Sequence, residues 1–133
     1  MKTTVEIKSA MIAYIKSLPS VVSLLNNDPT RIKEAEWQGT DFSYPAIRVG
    51  VDLQPSINGC GLDTADWTIE AFSEQKSSLE ADTITGTLAS LLHKKPFVSN
   101  QIKFSVVVVR EIVRADASVY GWKSQILLTT QMN

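Results

Sequence analysis

The stretch from Ile102 to Gln131 constrains the fold of this chain more than any other. "IKFSVVVVREIVRAD" and "SVYGWKSQILLTTQ" are both rich in β-branched and aromatic residues and are joined at the turn-like "ADAS". Such side chains suit a pleated, half-buried surface, so the pair predicts a long C-terminal antiparallel β-hairpin. Alternation splits the valines, Val106 and Val108 against Val107 and Val109, so both faces of the first strand are apolar near its start. A strand apolar on both faces is either central in its sheet or packed against a neighbouring chain. Extended at roughly 3.3 Å per residue, Ile102 to Asp116 spans about 45–50 Å, so its charged end is expected to project from the domain. Strict alternation puts Arg110, Ile112 and Arg114 of that end on one face, with Glu111 and Val113 on the other.

The rest of the chain supplies helices and further strands. Ile7, Met11, Tyr14, Ile15 and Leu18 recur at helical spacing and predict an amphipathic helix from about Val5 to Ser17, stopped or bent by Pro19. "SVVSLLNN" reads as a short helical turn closed by "NNDPT", and "RIKEAEW" as a short strand. "AIRVGVDL" alternates cleanly, with Ile47, Val49, Val51 and Leu53 on one side. "TADWTIEAFS" does the same, with Ala65, Trp67, Ile69 and Ala71 opposite Asp66, Thr68 and Glu70. Ser77 with Glu80 has the spacing of a capping box, opening a helix with the stripe Ile84, Leu88, Leu91, Leu92 that ends near "HKKP". The order predicts a single α+β domain over residues 1–133. Its frame is a mainly antiparallel sheet of four or five strands with two main helices packed on one face.

Few residues carry recognisable chemistry. The lone histidine, His93, has no second His or Cys at ligand spacing, and a helix C-terminus favours a structural histidine. Cys60 lies in the loop "GCG" without a nearby cation to lower its pKa, and a single cysteine fits a reducing compartment. Asp66 and Glu70 share a strand face and offer paired carboxylates, a pattern that any solvated strand face also gives. Neither a phosphate-binding loop nor a dinucleotide fingerprint is present, so the expectation is no enzyme, no metal and no cofactor. The N-terminal stretch lacks the apolar run of a secretory signal and no apolar run approaches a membrane span, which suggests a cytoplasmic origin without a membrane partner.

The formal net charge of −1 argues against tight nucleic-acid binding, but the charge is uneven. Residues 41–80 hold two Lys/Arg against seven Asp/Glu, whereas residues 81–133 hold six against three. Either the two regions form complementary surfaces between subunits, as head-to-tail rings require, or they mix on folding.

The layout resembles the tail terminator family of tailed bacteriophages, also called tail completion or tail-to-head joining proteins. The resemblance rests on the N-terminal helix, "YPAIRVGV", the strand "WTIEAFSE" running into the helix at "KSSLEADTI", and "VREIVRADASVYGWKSQILLTT". It implies a non-catalytic virion protein, assembled in the host cytoplasm and placed at the tail–head junction. Such a protein forms a ring, usually hexameric, that caps the tail tube and stops its polymerisation. The implied partners are other copies of the chain, the tail tube protein and a head-connector or stopper protein, with DNA passing through the lumen without sequence-specific binding. Carried onto this chain, it places Arg110, Glu111, Arg114, Asp116, Tyr120 and Trp122 near subunit contacts or the lumen. The loops holding Gly39, Thr40, Asp41, Phe42 and Tyr44, and Asn58 and Asp63, become candidates for touching tube or connector. Another neck or minor tail protein is the nearest alternative, and a small cytosolic enzyme using Asp66, Glu70 or His93 the more distant one.

Overall fold

The computed structural model describes residues 2–39, 43–56, 62–118 and 121–133. Helix α1 (Thr4–Lys16) starts where Thr3 accepts the amide of Glu6 at 3.2 Å and donates its hydroxyl to the Glu6 carboxylate at 2.9 Å. That Thr–Glu pair, three residues apart, satisfies an amide that the helix start leaves open. After the break at Pro19 come the short α2 (Pro19–Val22) and 3₁₀ turns at Ser23–Leu25 and Pro29–Arg31. The strands are β1 (Ile32–Glu34), β2 (Ala46–Gln54), β3 (Asp63–Ser73), β4 (Phe97–Ser99), β5 (Ile102–Ser118) and β6 (Gly121–Met132), with α3 (Leu79–Leu92) between β3 and β4. No helix among the described residues is long and apolar enough to cross a membrane.

The strands form one six-stranded sheet in the order β1-β2-β3-β6-β5-β4, which corrects the expectation of four or five. The additional strand, β4, is only three residues long and pairs only with Ile102–Phe104, too short for alternation to reveal. The sheet is mixed: β1 runs parallel to β2, Ile32 beside Ile47, and the remaining pairs are antiparallel. Although β1 and β4 end opposite sides of the sheet, α1 contacts both, so the sheet curls around that helix. Phe97 of β4 stacks at 3.7 Å on Tyr14 of α1 and at 4.5 Å on Phe104, and Ser99 donates its hydroxyl to the Ala10 carbonyl at 2.7 Å.

Alternation in β3 is complete, every second residue from Asp63 to Ser73 being buried. Trp67 sits between Val51 and Leu128. One core joins Ala65, Trp67 and Ile69 to Ile126 and Leu128 of β6, to Ile7, Met11 and Ile15 of α1, and to Ile84, Leu88 and Leu92 of α3. Both main helices therefore pack on the same face of the sheet, and the other face is left open.

The capping box expected at Ser77 and Glu80 is replaced by something else. Ser77 accepts the Leu79 amide at 3.1 Å, while the Glu80 carboxylate accepts the Ser73 hydroxyl at 2.7 Å and ties the helix start to the end of β3. A buried pair inside the core, Thr85 and Ser124, brings α3 onto β6 at 2.7 Å between hydroxyl oxygens.

Trp67 carries one polar atom into the core, its indole N–H, which donates to Thr130 Oγ1 at 2.9 Å with both residues fully buried. Thr130→Val leaves that donor without its acceptor and is expected to cost about 1–3 kcal/mol in chemical denaturation. In a Trp67→Phe background the same change should cost far less, and equal costs in both backgrounds would show that the bond contributes nothing.

Candidate interaction surface

The open face of the sheet is built from alternate residues of β2, β3, β6 and β5. One row across it runs Asp52, Asp66, Thr129, Val108, and another runs Arg48, Glu70, Gln125, Val113. Asp66 accepts the Thr129 hydroxyl at 2.8 Å and the Gln54 amide at 3.3 Å, and Arg110 approaches it at 3.8 Å. Glu70 pairs with Lys123 at 3.3 Å. Each ion pair joins an acid of the middle of the chain to a base of the last third. The charge asymmetry of the sequence is thus partly neutralised inside one subunit, across neighbouring strands. Both pairs are partly exposed and worth little individually, so they set the character of the surface more than its stability.

The carboxylates and the histidine do not form a common site. His93 caps the C-terminus of α3, and its Nδ1 accepts the Val109 amide at 3.0 Å at the edge of β5, away from the Asp66–Glu70 face. Cys60 lies outside the described residues.

The hairpin differs from its sequence reading in three respects. It does not project, because β3 accompanies β6 to the tip, Ser73 lying opposite Trp122. A Cβ added to Gly121 would lie 2.0 Å from the Ser73 carbonyl oxygen, so only glycine permits this close approach. β5 is not central in the sheet but next to its β4 end, and Val106, 40% exposed, and half-buried Val108 have no covering layer. Finally, β-bulges interrupt β5 between Phe104 and Val106, Val109 and Glu111, and Val113 and Asp116. Each bulge resets the alternation. Arg110 therefore reaches Asp66 on the open face together with Glu111 and Val113, while Ile112 lies opposite Ile126 on the core face. Arg114 falls within the third bulge and is exposed, as is Asp116, which faces Lys123. Trp122 is half-buried opposite Ala117, and Tyr120 lies outside the described residues.

Of the loop candidates, Thr40, Asp41, Phe42 and Asn58 lie outside the described residues. Gly39 is exposed and packs against the Trp37 indole. Tyr44 is half-buried, and its carbonyl takes a hydrogen bond from Arg31 Nη1. Asp63 does not lie in a loop. It opens β3, is 8% exposed, and accepts the amides of Ser56 at 2.8 Å and Lys2 at 3.0 Å. Those two backbone donors, Ser56 first, hold its carboxyl below the ordinary aspartate value.

Two features were not visible in the sequence. Arg48 is buried beneath the turn at Arg31, donating from Nη1 to the carbonyls of Arg31 at 3.0 Å and Ile47 at 2.9 Å, and its burial lowers the guanidinium pKa. The second is a cleft of about 590 Å3 between α3 and the bulged part of β5, lined by Gly86, Ala89, His93, Val109, Glu111 and Ile112 among others. Hydrogen bonds close it at both ends. Asp82 accepts the Ala115 amide at 2.8 Å at one, and His93 accepts Val109 while the Lys94 amide donates to the Val107 carbonyl at 2.7 Å at the other. Ile112 stands 53% exposed at its side. A periodicity reading cannot find such a cleft, since it depends on which helix residue lies beside which bulge.

No family model matches the chain, and no curated protein matches it. Its fold is similar to that of a chain in the solved virion of a native gene transfer agent particle, with a TM-score of 0.68 at 12% identity, covering 94% of this chain and 92% of that one. A second solved chain gives a TM-score of 0.67 at 12% identity, covering 100% of this chain and 97% of its own. At that identity the likeness is one of fold.

Asp63 yields a pH test. Because its folded pKa is lowered, its contribution is complete above the ordinary aspartate value of 3.8 and is lost as pH falls through the lowered folded value. Asp63→Asn should therefore unfold at lower denaturant than the parent at pH 7, with the gap closing as pH falls below the ordinary aspartate value. A gap that persists unchanged into acid would show that the carboxylate's charge is not what matters.

Proposed function

We propose that the protein is a structural component of a virion and, more specifically, a tail terminator: a ring subunit that caps the tail tube and offers a docking surface to the head connector. The observation that carries this reading is the likeness of fold, end to end in both chains, to a chain of a gene transfer agent virion. It agrees with the layout of the sequence, which independently resembles the phage tail terminators.

The surface supports an assembling role. Val106 and Val108 lie bare on the open face with half-buried Leu127 and Val113 nearby, flanked by the Asp66–Arg110 and Glu70–Lys123 pairs. An apolar strip rimmed by paired charges is the composition of a protein interface more than of a solvated sheet. In a ring each subunit meets its neighbours through two different surfaces, and an open curled sheet with distinct β1 and β4–β5 ends provides them. The near-neutral net charge suits a lumen through which DNA slides without being held. Copies of the same chain, the tube and the connector are the partners this reading assigns.

Light scattering after size exclusion, with negative-stain imaging, should show closed rings of the full chain, alone or on tail tubes. A strict monomer that also fails to bind tubes would sink the reading. The hairpin charges offer a finer test. Arg110→Glu with Arg114→Glu alters exposed side chains, so the monomer should stay folded within about 1 kcal/mol of the parent. Tails carrying this double variant should lose length control or fail to join heads. Normal-length, head-joined tails would show that these arginines merely face solvent.

A further inference from the structure

Three local irregularities stand out among the described residues. The first is Gly86, in the middle of α3, where glycine is among the least favourable helix residues. A Cβ at this position would meet nothing within 4 Å, so no close packing in the subunit requires its absence. The bare backbone instead keeps open the cleft between α3 and β5. The second is the bulge at Arg110, which leaves Ile112 on the core side of the sheet but 53% exposed, beyond the cover of α3.

The third is Trp37, just past β1. Among the exposed large hydrophobic residues described it is the only aromatic one, 47% exposed. It is also held in place. The Lys33 ammonium lies 4.3 Å from the ring centroid, and Gly39 packs so closely that a Cβ there would sit 2.4 Å from the indole. An exposed indole fixed before any partner arrives has already lost the conformational freedom that binding would otherwise cost. Tryptophan is the residue most enriched at interface hot spots, where it fills a desolvated pocket.

The cleft and the indole lie at opposite ends of the strand order, Trp37 beyond β1 and the cleft beside β5. The two features do not meet within one chain, and a head-to-tail ring brings unlike surfaces of successive copies together. Two charged residues border the cleft: Arg110 is already paired with Asp66, whereas Glu111 has no ion pair among the described residues and can meet Lys33, which would travel with the indole. We propose that the α3–β5 cleft of one subunit receives Trp37 of a second copy of this chain, with Lys33 of the incoming copy meeting Glu111. The cleft's apolar lining, Ala89, Val109 and Ile112, takes the ring, and Gly86 gives it room. This contact deepens the ring reading above and rests on it.

The test uses the full chain carrying Cys60→Ser, so that introduced thiols have no competitor. Oxidising a mixture of Gln38→Cys and Ser90→Cys copies, both of which keep the indole, should give a mixed disulfide dimer. One chain carrying both changes should give a ladder that ends in a closed ring. Val5→Cys, another exposed apolar position, paired with Ser90→Cys, should give neither. Gly86→Leu is the complementary variant: with a better helix former in open space, the monomer should melt higher, yet self-association should weaken roughly tenfold or more. Rings that form normally without the Gln38–Ser90 cross-link, or a Gly86→Leu protein that assembles as well as the parent, would overturn the contact while leaving the ring intact. A parent chain that assembles neither alone nor on tubes would overturn both together.

Discussion

The outer edge of β5 is the constraint on which the arrangement depends. The strand runs seventeen residues, yet β4 covers only its first three, and a long bare edge is both a loss of backbone hydrogen bonds and an invitation to aggregate. The chain answers with α3, laid antiparallel along that edge. Lys94 supplies an amide to Val107, His93 an acceptor to Val109, and Asp82 an acceptor to Ala115. Each such hydrogen bond contributes about 0.5–1.5 kcal/mol net, and together they fix where α3 lies. The Thr85–Ser124 pair fixes the same helix from the core side. A helix held at both ends against a strand that bulges between them leaves a gap there, and the cleft follows from the geometry.

Most elements were legible because their periodicity is strong. The stripes of α1 and α3 and the alternation of β2 and β3 appear where the spacing puts them, and both helices share one face as expected. What failed were readings that assumed periodicity continues unbroken. The bulge at Arg110, one of three in β5, turns that residue away from Ile112, and no residue of "VVVVREIVRAD" announces it. β4, three residues long and unannounced by alternation, is a strand only because β5 lies beside it, whereas the short strand expected at "RIKEAEW" is present as β1. Asp63 looked like a loop acid because its donors, Ser56 and Lys2, are distant in sequence or in another element. The Thr3–Glu6 cap was legible by spacing and went unread, whereas Ser77 and Glu80 had the spacing and were used otherwise. Spacing alone cannot tell which acceptor a side chain will choose.

The charge pattern shows the same limit. An acidic middle and a basic last third left two readings open, complementary surfaces between subunits or mixing on folding, and the second operates in part: β3 and β6 are neighbours, and their antiparallel register puts Glu70 near Lys123 within one chain. Arg110 likewise reaches across to Asp66. Adjacent strands drawn from the two regions neutralise one another first. What stays available for a partner is smaller and more local: Glu111, Arg114 and Asp116 on the outer half of the hairpin, beside exposed Ile112 and Val106.

A natural sequence is locally consistent except where function demands otherwise. Trp67 shows the rule, since its volume, its register and its one polar atom are all satisfied by the same core. Gly86, Ile112 and Trp37 break it: a helix weakened by about 1 kcal/mol relative to alanine, an aliphatic side chain in water, and an indole held half outside. Among the described residues nothing fills the space at Gly86 or covers Ile112, and Lys33 and Gly39 hold the indole without burying it. All three lie toward the ends of the sheet and away from its centre, where a ring would join one copy to the next. When a chain gives up stability at its margins and keeps its centre strictly ordered, the compensation has to come from whatever meets those margins.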